Sequence, residues 1–265
     1  MPARQPAASG GPSPHAARMW NYWMGGRDNY ASDRVAGDAV AGVYPGIVTM
    51  AKQSRRFLVR AVRYAAQEGV RQFLDIGTGL PAAQNTHQVA QSVAPESRVV
   101  YVDNDDLVLA HARALMTPTS AAGRTAFLQA DYHDPVRVFA EAARVLDFSE
   151  PVAVMFMGVL GYEADHATVR SIVRRTMAAV PAGSLLVLWD GTDTGEAVVR
   201  GCRRLTEAGG MPYHLRSPEQ IAEYFAGLEM VEPGLVPLTG WRPDEGDTDE
   251  PVDAYGAVAR KGPRG

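Results

Sequence analysis

Cysteine and long apolar runs are both scarce in this sequence of 265 residues. Cys202 is the only cysteine, which excludes an internal disulfide and a cysteine-cluster metal site and is typical of a reducing compartment. The longest apolar run, residues 151–161, is too short to span a bilayer, and no N-terminal stretch resembles a secretion signal. We therefore expect a cytoplasmic protein with no metal site and no membrane partner.

Positive charge is also limited. Lys52 and Lys261 are the only lysines among 26 basic residues, and 30 acidic residues give a net charge of −4. A chain with this balance and no basic patch is not a natural binder of polyanions, so we expect no nucleic-acid partner. Apolar residues make up 46% and charged residues 21%, which favours a well-packed core. The length suits one α/β domain with an appendage.

A glycine turn follows the first predicted strand. The apolar segment 72–74 ends at Asp75, and Gly77 and Gly79 follow with one residue between them. This pattern is typical of a buried parallel strand that turns sharply into a helix. Because glycine has no Cβ, a ligand can contact the main chain at such a turn.

The same turn lacks one feature of dinucleotide-binding sites, the third glycine three residues beyond the second. Ala82 occupies that position, and Pro81 precedes it. The next predicted strand, residues 98–102, ends at Asp103. An acid at this place binds the ribose hydroxyls of a nucleoside cofactor. The sequence therefore predicts a nucleoside site that is not built around a pyrophosphate.

Strands and helices continue to alternate along the chain, and a pair of strands closes it. The further predicted strands cover residues 125–129, 151–157, 183–189, 228–232 and 253–259. This order predicts an α/β fold with a doubly wound, mostly parallel, seven-stranded sheet. Ligands of such sheets bind beyond the carboxyl ends of the strands, which brings Gly77, Asp103, Asp131 and Met157 to one edge.

The N-terminal third is predicted to be helical. Residues 1–13 are expected to be disordered, residues 14–69 to form a helical lid or cap, and residues 70–261 to form the Rossmann-like domain. Ser13 is predicted to cap a helix that starts at Pro14, and the longest helical pattern covers residues 45–68. Segment 18–30 is rich in tryptophan, tyrosine and arginine. Either it is a lid that closes over a ligand, or it is a permanently docked helix.

Two charged segments are interpreted as solvent-facing. The arginines of the longest helix are expected to form a solvated face. The six acids of residues 243–253 are expected to form a solvated loop, and the alternative for this loop is an anion-repelling gate. The arginines are Arg55, Arg56, Arg60 and Arg63. Cys202 is expected to be an inert residue of a surface helix.

Four stretches of the chain resemble a known family. They are residues 17–30, 72–81 with 85–87, 97–104 with 111–113, and 232–234 with 241–243. They resemble a bacterial family, of largely unknown function, of class I, Rossmann-like methyltransferases that use S-adenosyl-L-methionine (SAM). The resemblance covers residues 13–261, and the aromatic N-terminal motif is its most specific part.

The resemblance implies a SAM site, with S-adenosyl-L-homocysteine as product. It implies that Asp103 holds the ribose, that the glycine turn contacts the amino-acid end and that Asp131 accepts from the adenine amino group. The cofactor-binding residues are predicted to be Asp75, Gly77, Thr78, Gly79, Asp103, Asn104, Asp131, Tyr132 and Met157. The acceptor-binding residues are predicted to be Tyr22, Arg27, Tyr30 and Tyr162.

Two positions depart from the family pattern. Members often carry histidine after the fourth strand and Ser-His after the fifth, where this chain has Gly161 and Trp189-Asp190. A general base is optional for methyl transfer, and the catalytic residues stay undetermined. The candidates near the sheet edge are Tyr162, Glu163, Asp165 and His166. His87 is expected to tie its helix to the N-terminal segment.

These observations favour methyl transfer from SAM to a small-molecule or peptide acceptor. The alternative is a SAM-binding protein of the same fold without methyl transfer, either a cyclase-like enzyme or a ligand sensor. An NAD-dependent oxidoreductase is disfavoured by Pro81 and Ala82. A nucleic-acid methyltransferase is disfavoured because the chain lacks a basic patch and an Asn-Pro-Pro-Tyr type of motif. A homodimer is compatible with the sequence.

Overall fold

The central sheet determines where a ligand can bind. The computed structural model describes residues 13–115, 117–248 and 250–263, so residues 1–12 of the predicted disordered tail lie outside the described residues. Eight strands lie within these ranges: β1 Gln72–Ile76, β2 Arg98–Asp103, β3 Arg124–Gln129, β4 Ala153–Met157, β5 Leu185–Gly191, β6 Glu229–Met230, β7 Val236–Pro237 and β8 Ala254–Arg260.

The strand order is β3-β2-β1-β4-β5-β8-β6, and β7 also pairs with β8. The first five strands are parallel, whereas β8 runs antiparallel to β5, β6 and β7. The predicted doubly wound, mostly parallel fold is therefore confirmed. The predicted seventh strand position is occupied by two short strands, because β6 and β7 pair with successive parts of the β8 edge that faces away from β5.

Nine α-helices within the described residues surround the sheet. Each strand of the parallel part is followed by a helix, as expected for crossover connections on both faces. Their bounds are α1 Ala16–Trp23, α2 Ala31–Val43, α3 Gly46–Gln67, α4 Thr86–Val93, α5 Asp106–Leu115, α6 Pro135–Ala142, α7 His166–Ala178, α8 Glu196–Glu207 and α9 Pro218–Ala222.

Side chains that alternate along the strands supply two apolar cores. In β1, Phe73 packs with the core that includes α1 to α4 and α8, whereas Leu74 packs with the core that includes α6, α7 and α9. All five residues of β1 are buried, as expected for a central parallel strand. The helices of the N-terminal cap therefore cover one face of the sheet. No helix in the described part of the chain is long and apolar enough to cross a membrane.

The start of the first helix differs from the prediction. The helix begins at Ala16, after an extended His15, and Ser13 does not cap it. Instead, the Ser13 carbonyl accepts a hydrogen bond from Arg18 Nη2 at 2.8 Å. Helix α2 was not predicted, because two glycines and three charged residues obscure its apolar pattern. A capping box formed by Tyr30 and Asp33 marks its start.

The charged segments also correct the sequence interpretation. Arg60 is 4% exposed and Arg55 is half-buried, so the predicted solvated face is wrong for both. In the predicted solvated loop 243–253, Asp244, Glu245 and Glu250 are exposed as expected and Asp249 lies outside the described residues. Asp247 instead forms ion pairs with Arg60 (2.8 Å) and Arg56 (2.6 Å). These pairs hold the loop against α3, away from the cavity described below.

Candidate cofactor and acceptor site

The glycine turn after β1 is closed by main-chain contacts. Gly77 N–H donates to the Val102 carbonyl at 2.8 Å, which ties the turn to the end of β2. Gly77 has a φ of +73°, a conformation that side chains with a Cβ rarely adopt. A Cβ placed there would lie 2.3 Å from Val159 Cγ2. The position therefore requires glycine for both conformation and space.

Asp75 lies beneath this turn and is 4% exposed. Its Oδ2 atom accepts a hydrogen bond from Thr86 Oγ1 at 2.6 Å, at the start of α4. Burial raises the pKa of Asp75 to about 6, and the Thr86 hydrogen bond and the nearby Arg55 guanidinium act in the opposite direction. Burial in turn lowers the pKa of Arg55, which lines the cavity beside this acid.

Asp103 at the end of β2 is held by two main-chain donors. Gly79 N–H donates to Oδ2 and Asp105 N–H donates to Oδ1, each at 3.0 Å. Burial raises the pKa of Asp103, and these two hydrogen bonds oppose the shift. Asp105 also pairs with His15, so the residue before α1 contacts the β2 edge. The carboxylate thus has a fixed orientation at the cavity.

Asp131, after β3, is more exposed than the other two acids. Its Oδ1 atom contacts His133 Nδ1 at 2.6 Å, and His133 Nε2 contacts Glu163 Oε2 at 2.8 Å. Partial burial acts to raise the pKa of Asp131, but the hydrogen bonds from His133 outweigh it and lower that pKa. Tyr132 stacks on the His133 ring with centroids 4.3 Å apart. This acid therefore has a side-chain partner in His133.

These strand ends open into a cavity of about 580 Å³. All nine predicted cofactor-binding residues line it, as does Tyr162. Tyr22, Arg27 and Tyr30 do not line it: the Tyr22 hydroxyl contacts Asp38 at 2.7 Å, and Arg27 and Tyr30 are exposed. The roles of these residues in binding stay predictions.

The cavity continues from the cofactor edge into a lobe that sequence reasoning missed. We call it the acceptor lobe. It is lined by Trp20, Trp23, Met24, Tyr44, Trp189, Cys202, Met211 and Tyr213. Trp20 of α1 stacks on Trp189 of β5 with centroids 5.7 Å apart and an interplanar angle of 23°. Cys202 lies half-buried in this wall, and burial raises the pKa of its thiol to about 11, so the thiol stays protonated.

The two positions that depart from the family pattern meet at one residue. A Cβ on Gly161 would lie 2.2 Å from Cζ of Tyr213, so the tyrosine ring occupies the space beside this glycine. The Tyr213 hydroxyl donates to Asp190, which is fully buried. Strand β5 extends to Gly191, so Asp190 lies within the sheet rather than after it. Tyr213 itself comes from the irregular segment between α8 and α9, which carries no motif.

Most of the candidate bases are committed to structural contacts. Glu163 pairs with His133, Asp165 caps α7 through the Thr168 N–H at 3.0 Å, and His166 contacts Glu223 at 3.0 Å. The interpretation of His87 is wrong: its Nδ1 atom contacts the hydroxyl of Tyr101 on β2 at 2.8 Å. The helix that carries His87 is therefore tied to the sheet.

A mostly parallel sheet with a glycine turn after β1, acids at the ends of the next strands and an antiparallel β8 defines a class I, Rossmann-like methyltransferase. The chain belongs to a family described as S-adenosyl methyltransferase, whose model matches residues 5–262. The family and the fold together indicate a SAM-dependent methyltransferase. The resemblance that the sequence predicted is therefore confirmed.

Solved structures support the same assignment. A DUF574 family protein from Streptomyces avermitilis is 42% identical, with 94% of this chain and 98% of that chain covered and a TM-score of 0.88. A candidate methyltransferase from Thermobifida fusca is 38% identical, with 94% and 96% covered and a TM-score of 0.86. A SAM-dependent methyltransferase from Methanosarcina mazei, 14% identical with a TM-score of 0.51 over 74% and 94%, shares the fold alone. No curated protein is significantly similar to the chain.

The residues at the cofactor edge fit SAM. The sulfonium and amino groups are cationic, and three carboxylates, Asp75, Asp103 and Asp131, line this part of the cavity. A Cβ on Gly79 would meet nothing within 4 Å, so the main chain there is open to a ligand. SAM contains no phosphate, which agrees with the missing third glycine.

Replacement of Asp103 tests the ribose contact. Loss of a charged hydrogen-bond acceptor should cost about 1.5–3 kcal/mol, so Asp103→Ala should weaken SAM binding about tenfold or more in calorimetry. Asp134→Ala is the matched control, because Asp134 caps α6 and does not line the cavity. Equal SAM affinities of the Asp103→Ala and wild-type proteins would exclude this contact.

SAM affinity should also depend on the protonation of Asp75. Its pKa of about 6 in the free protein means that the carboxylate is charged at neutral pH and becomes neutral as the pH falls through 6. A cationic ligand favours the charged form, so affinity should be constant above this pH and fall by about tenfold per pH unit below it. Titration of SAM binding against pH measures this, and Asp75→Asn should bind weakly with a flatter profile. A wild-type affinity that does not change through pH 6 would contradict the prediction.

The lid hypothesis for residues 18–30 can be tested by hydrogen exchange. Arg18 Nε contacts the buried Asp33 at 2.7 Å, and Asp33 also accepts from His15 N–H and Tyr30 N–H. A lid should exchange its amides in the free protein and become protected when S-adenosylhomocysteine is added. Helix α7, on the other face of the sheet, is the internal control. Equal protection of residues 18–30 in both states would leave the docked-helix interpretation.

Proposed function

We propose that this protein transfers the methyl group of SAM to a small, flat, largely apolar acceptor that carries a nucleophilic oxygen or nitrogen. The observation that carries the proposal is the continuity of one cavity from the acids at the cofactor edge into the aromatic acceptor lobe. SAM is an activated donor, so the protein has to align the acceptor and exclude water from the sulfonium. An aromatic wall supplies both.

The order of the strands supports this arrangement. Strand β1, with the glycine turn, is flanked by β2 on one side and by β4 and then β5 on the other. Asp103, at the end of β2, lies on the adenosine side. Met157 and Trp189, of β4 and β5, lie on the opposite side, and Trp189 lines the acceptor lobe. The glycine turn would hold the amino-acid end of SAM between these two sides, which would direct the neighbouring sulfonium methyl toward the lobe.

Methyl transfer can be tested directly with SAM that carries a labelled methyl group. The acceptor panel should contain phenols, catechols, aromatic amines and short tyrosine-containing peptides, with detection of both the labelled product and S-adenosylhomocysteine. A phenol, catechol or aromatic amine should be methylated by the wild-type protein, and the rate at limiting SAM should fall in Asp103→Ala. Tight SAM binding without any labelled product across the panel would favour the alternative, a SAM-binding protein of the same fold.

A further inference from the structure

Tyr213 lies over the carboxyl ends of β4 and β5. Its ring packs against Gly161, where a Cβ would lie 2.2 Å from Cζ, and His214 N–H donates to the Gly161 carbonyl at 2.7 Å. The ring of Tyr162 meets the Tyr213 ring edge-on with centroids 5.1 Å apart. Both the main chain and the ring therefore fix Tyr213 in the wall of the acceptor lobe.

The Tyr213 hydroxyl links the acceptor lobe to a carboxylate inside the protein. It donates to Asp190 Oδ1, and Gly191 N–H donates to that same oxygen at 3.0 Å and to Tyr213 Oη at 3.3 Å. Asp190 Oδ2 lies 3.4 Å from Arg216 Nη1, and both side chains are buried. Tyr213 lines the cavity, whereas Asp190 is fully buried and contacts the cavity wall through Tyr213.

We propose that Tyr213 is a catalytic hydroxyl for O-methylation of a phenol-type acceptor and that Asp190 receives the acceptor's proton through it. This inference rests on the proposed methyl transfer and adds the acceptor class and the path of the proton. A flat acceptor bound between the aromatic side chains of the lobe would place its hydroxyl on Tyr213 Oη. Asp190 acts through Tyr213 and is a positioning residue in this arrangement, with the carboxylate as the final proton acceptor.

The step balances without another reactant. The acceptor hydroxyl gives its proton to Tyr213 Oη as the Tyr213 hydroxyl gives its own proton to Asp190 Oδ1. A lone pair of the acceptor oxygen forms the new C–O bond, the S–CH₃ bond breaks, and its electron pair remains on sulfur. The products are a methyl ether, S-adenosylhomocysteine and a protonated Asp190, which returns its proton to solvent after the product leaves.

The surroundings of Asp190 suit this role. Burial raises the pKa of Asp190 to about 6, against the hydrogen bond from Tyr213 and the charge of Arg216, so the carboxylate is charged at neutral pH but takes a proton readily. Burial also raises the pKa of Tyr213 well above its usual value, so Tyr213 stays protonated and relays a proton. The titratable and charged groups that face Asp190 are Tyr213 and Arg216 in contact, and Tyr132, Tyr162, Cys202 and Tyr224 at longer range.

The test compares Tyr213→Phe and Asp190→Asn with the wild-type protein on the labelled-methyl panel. At saturating SAM and neutral pH, kcat for phenols should fall by about 100-fold or more in each variant, the usual contribution of general-base catalysis. Wild-type kcat should fall as the pH drops through about 6, and Asp190→Asn should lose this dependence. Tyr64→Phe is the matched control, because Tyr64 of α3 packs edge-on against Trp241 and does not line the cavity. Its kcat should be unchanged.

A second measurement does not require turnover. The probe is 4-nitrophenol, bound in its neutral form at pH 6 with sinefungin, a SAM analogue that carries an amine in place of the sulfonium methyl. Tyr213 Oη donates to Asp190 and would accept from the probe hydroxyl, so probe affinity should fall about tenfold in Tyr213→Phe, with sinefungin affinity and melting temperature confirming that the variant is folded. Equal probe affinity in the wild type and Tyr213→Phe, or no binding of the probe, would overturn the inference and leave the proposed methyl transfer standing. Probe binding that depends on Tyr213, with no methylated product from any acceptor, would contradict the proposed function instead.

Discussion

Arg60→Ala is expected to lower the free energy of unfolding by about 2–5 kcal/mol, because each buried acceptor left without a donor costs about 1–3 kcal/mol. Arg60 Nε donates to the Trp241 carbonyl at 2.8 Å and Nη2 donates to the Leu238 carbonyl at 2.6 Å. Arg60 Nη1 also pairs with Asp247, whose side chain is 11% exposed. A single guanidinium thus satisfies two main-chain carbonyls and a carboxylate between α3 and the segment after β7.

Arg56→Ala is the matched control for this change. Arg56 lies one helical turn before Arg60 on the same face of α3. It pairs with the same Asp247 at 2.6 Å, and its side chain is 51% exposed. An exposed ion pair contributes about 0–1 kcal/mol, so this variant should unfold close to the wild-type midpoint. Urea unfolding followed by circular dichroism measures both variants. Similar losses of unfolding free energy in the two variants, or a loss below about 1 kcal/mol for Arg60→Ala, would contradict the prediction. Burial of the guanidinium would then not determine how much each arginine stabilises the protein.

Arg60 also illustrates where sequence reasoning stops. On a helix, arginines three to five positions apart have the same local pattern whether water or another segment covers them. The acids that pair with these arginines lie more than 180 positions along the chain, as in the Arg60–Asp247 contact with a separation of 187. The interpretation of two solvated segments therefore missed that the two segments bind each other.

The cofactor edge could be predicted because its signals are local. An apolar strand followed by glycines at Gly77 and Gly79 gives both the end of β1 and the turn, and an acid at the end of the next strand gives Asp103. The parallel sheet then brings these strand ends together by a rule that needs no side-chain detail. The cavity lining agrees, since each predicted cofactor residue lies on it.

The acceptor lobe could not be predicted in the same way. Trp20, Trp189, Cys202 and Tyr213 come from α1, β5, α8 and an irregular segment, and their proximity depends on how these elements pack. The aromatic density of residues 18–30 did identify a relevant helix, but Trp20 and Trp23 line the cavity while Tyr22 and Tyr30 do not. Helix period alone could not choose between these faces, because aromatic residues lie on both.

The relation of Gly161 to Asp190 shows how such packing alters a site. Considered separately, a glycine after β4 and an acid at the end of β5 are only two departures from the family pattern. In the structure, Gly161 has no side chain, and the Tyr213 ring fills the space beside it. Asp190 accepts a hydrogen bond from the Tyr213 hydroxyl. The two departures therefore depend on each other. Introduction of alanine at Gly161 alone would displace Tyr213 and separate its hydroxyl from the carboxylate.

Gly77→Val is expected to abolish measurable SAM binding while the protein remains folded. Valine at a φ of +73° is strained by about 1–3 kcal/mol, and its Cβ would lie 2.3 Å from Val159 Cγ2. The clash forces the loop after β4 and the turn after β1 apart, which moves the Gly79 N–H away from Asp103. The ribose and amino-acid contacts would then be lost together, so affinity should fall by more than about 100-fold, or about 2.7 kcal/mol.

Two measurements separate this effect from general destabilisation. Gly77 lies in the turn after β1 and not in a strand, so the far-ultraviolet circular dichroism spectrum of Gly77→Val should match that of the wild type. The strain from valine at this position should lower only the melting temperature. Gly42→Ala is the control: Gly42 is helical, a Cβ there meets nothing within 4 Å, and SAM affinity should be unchanged. Normal SAM affinity in folded Gly77→Val would mean that the cofactor does not depend on this turn, because the clash with Val159 displaces the turn that would hold it.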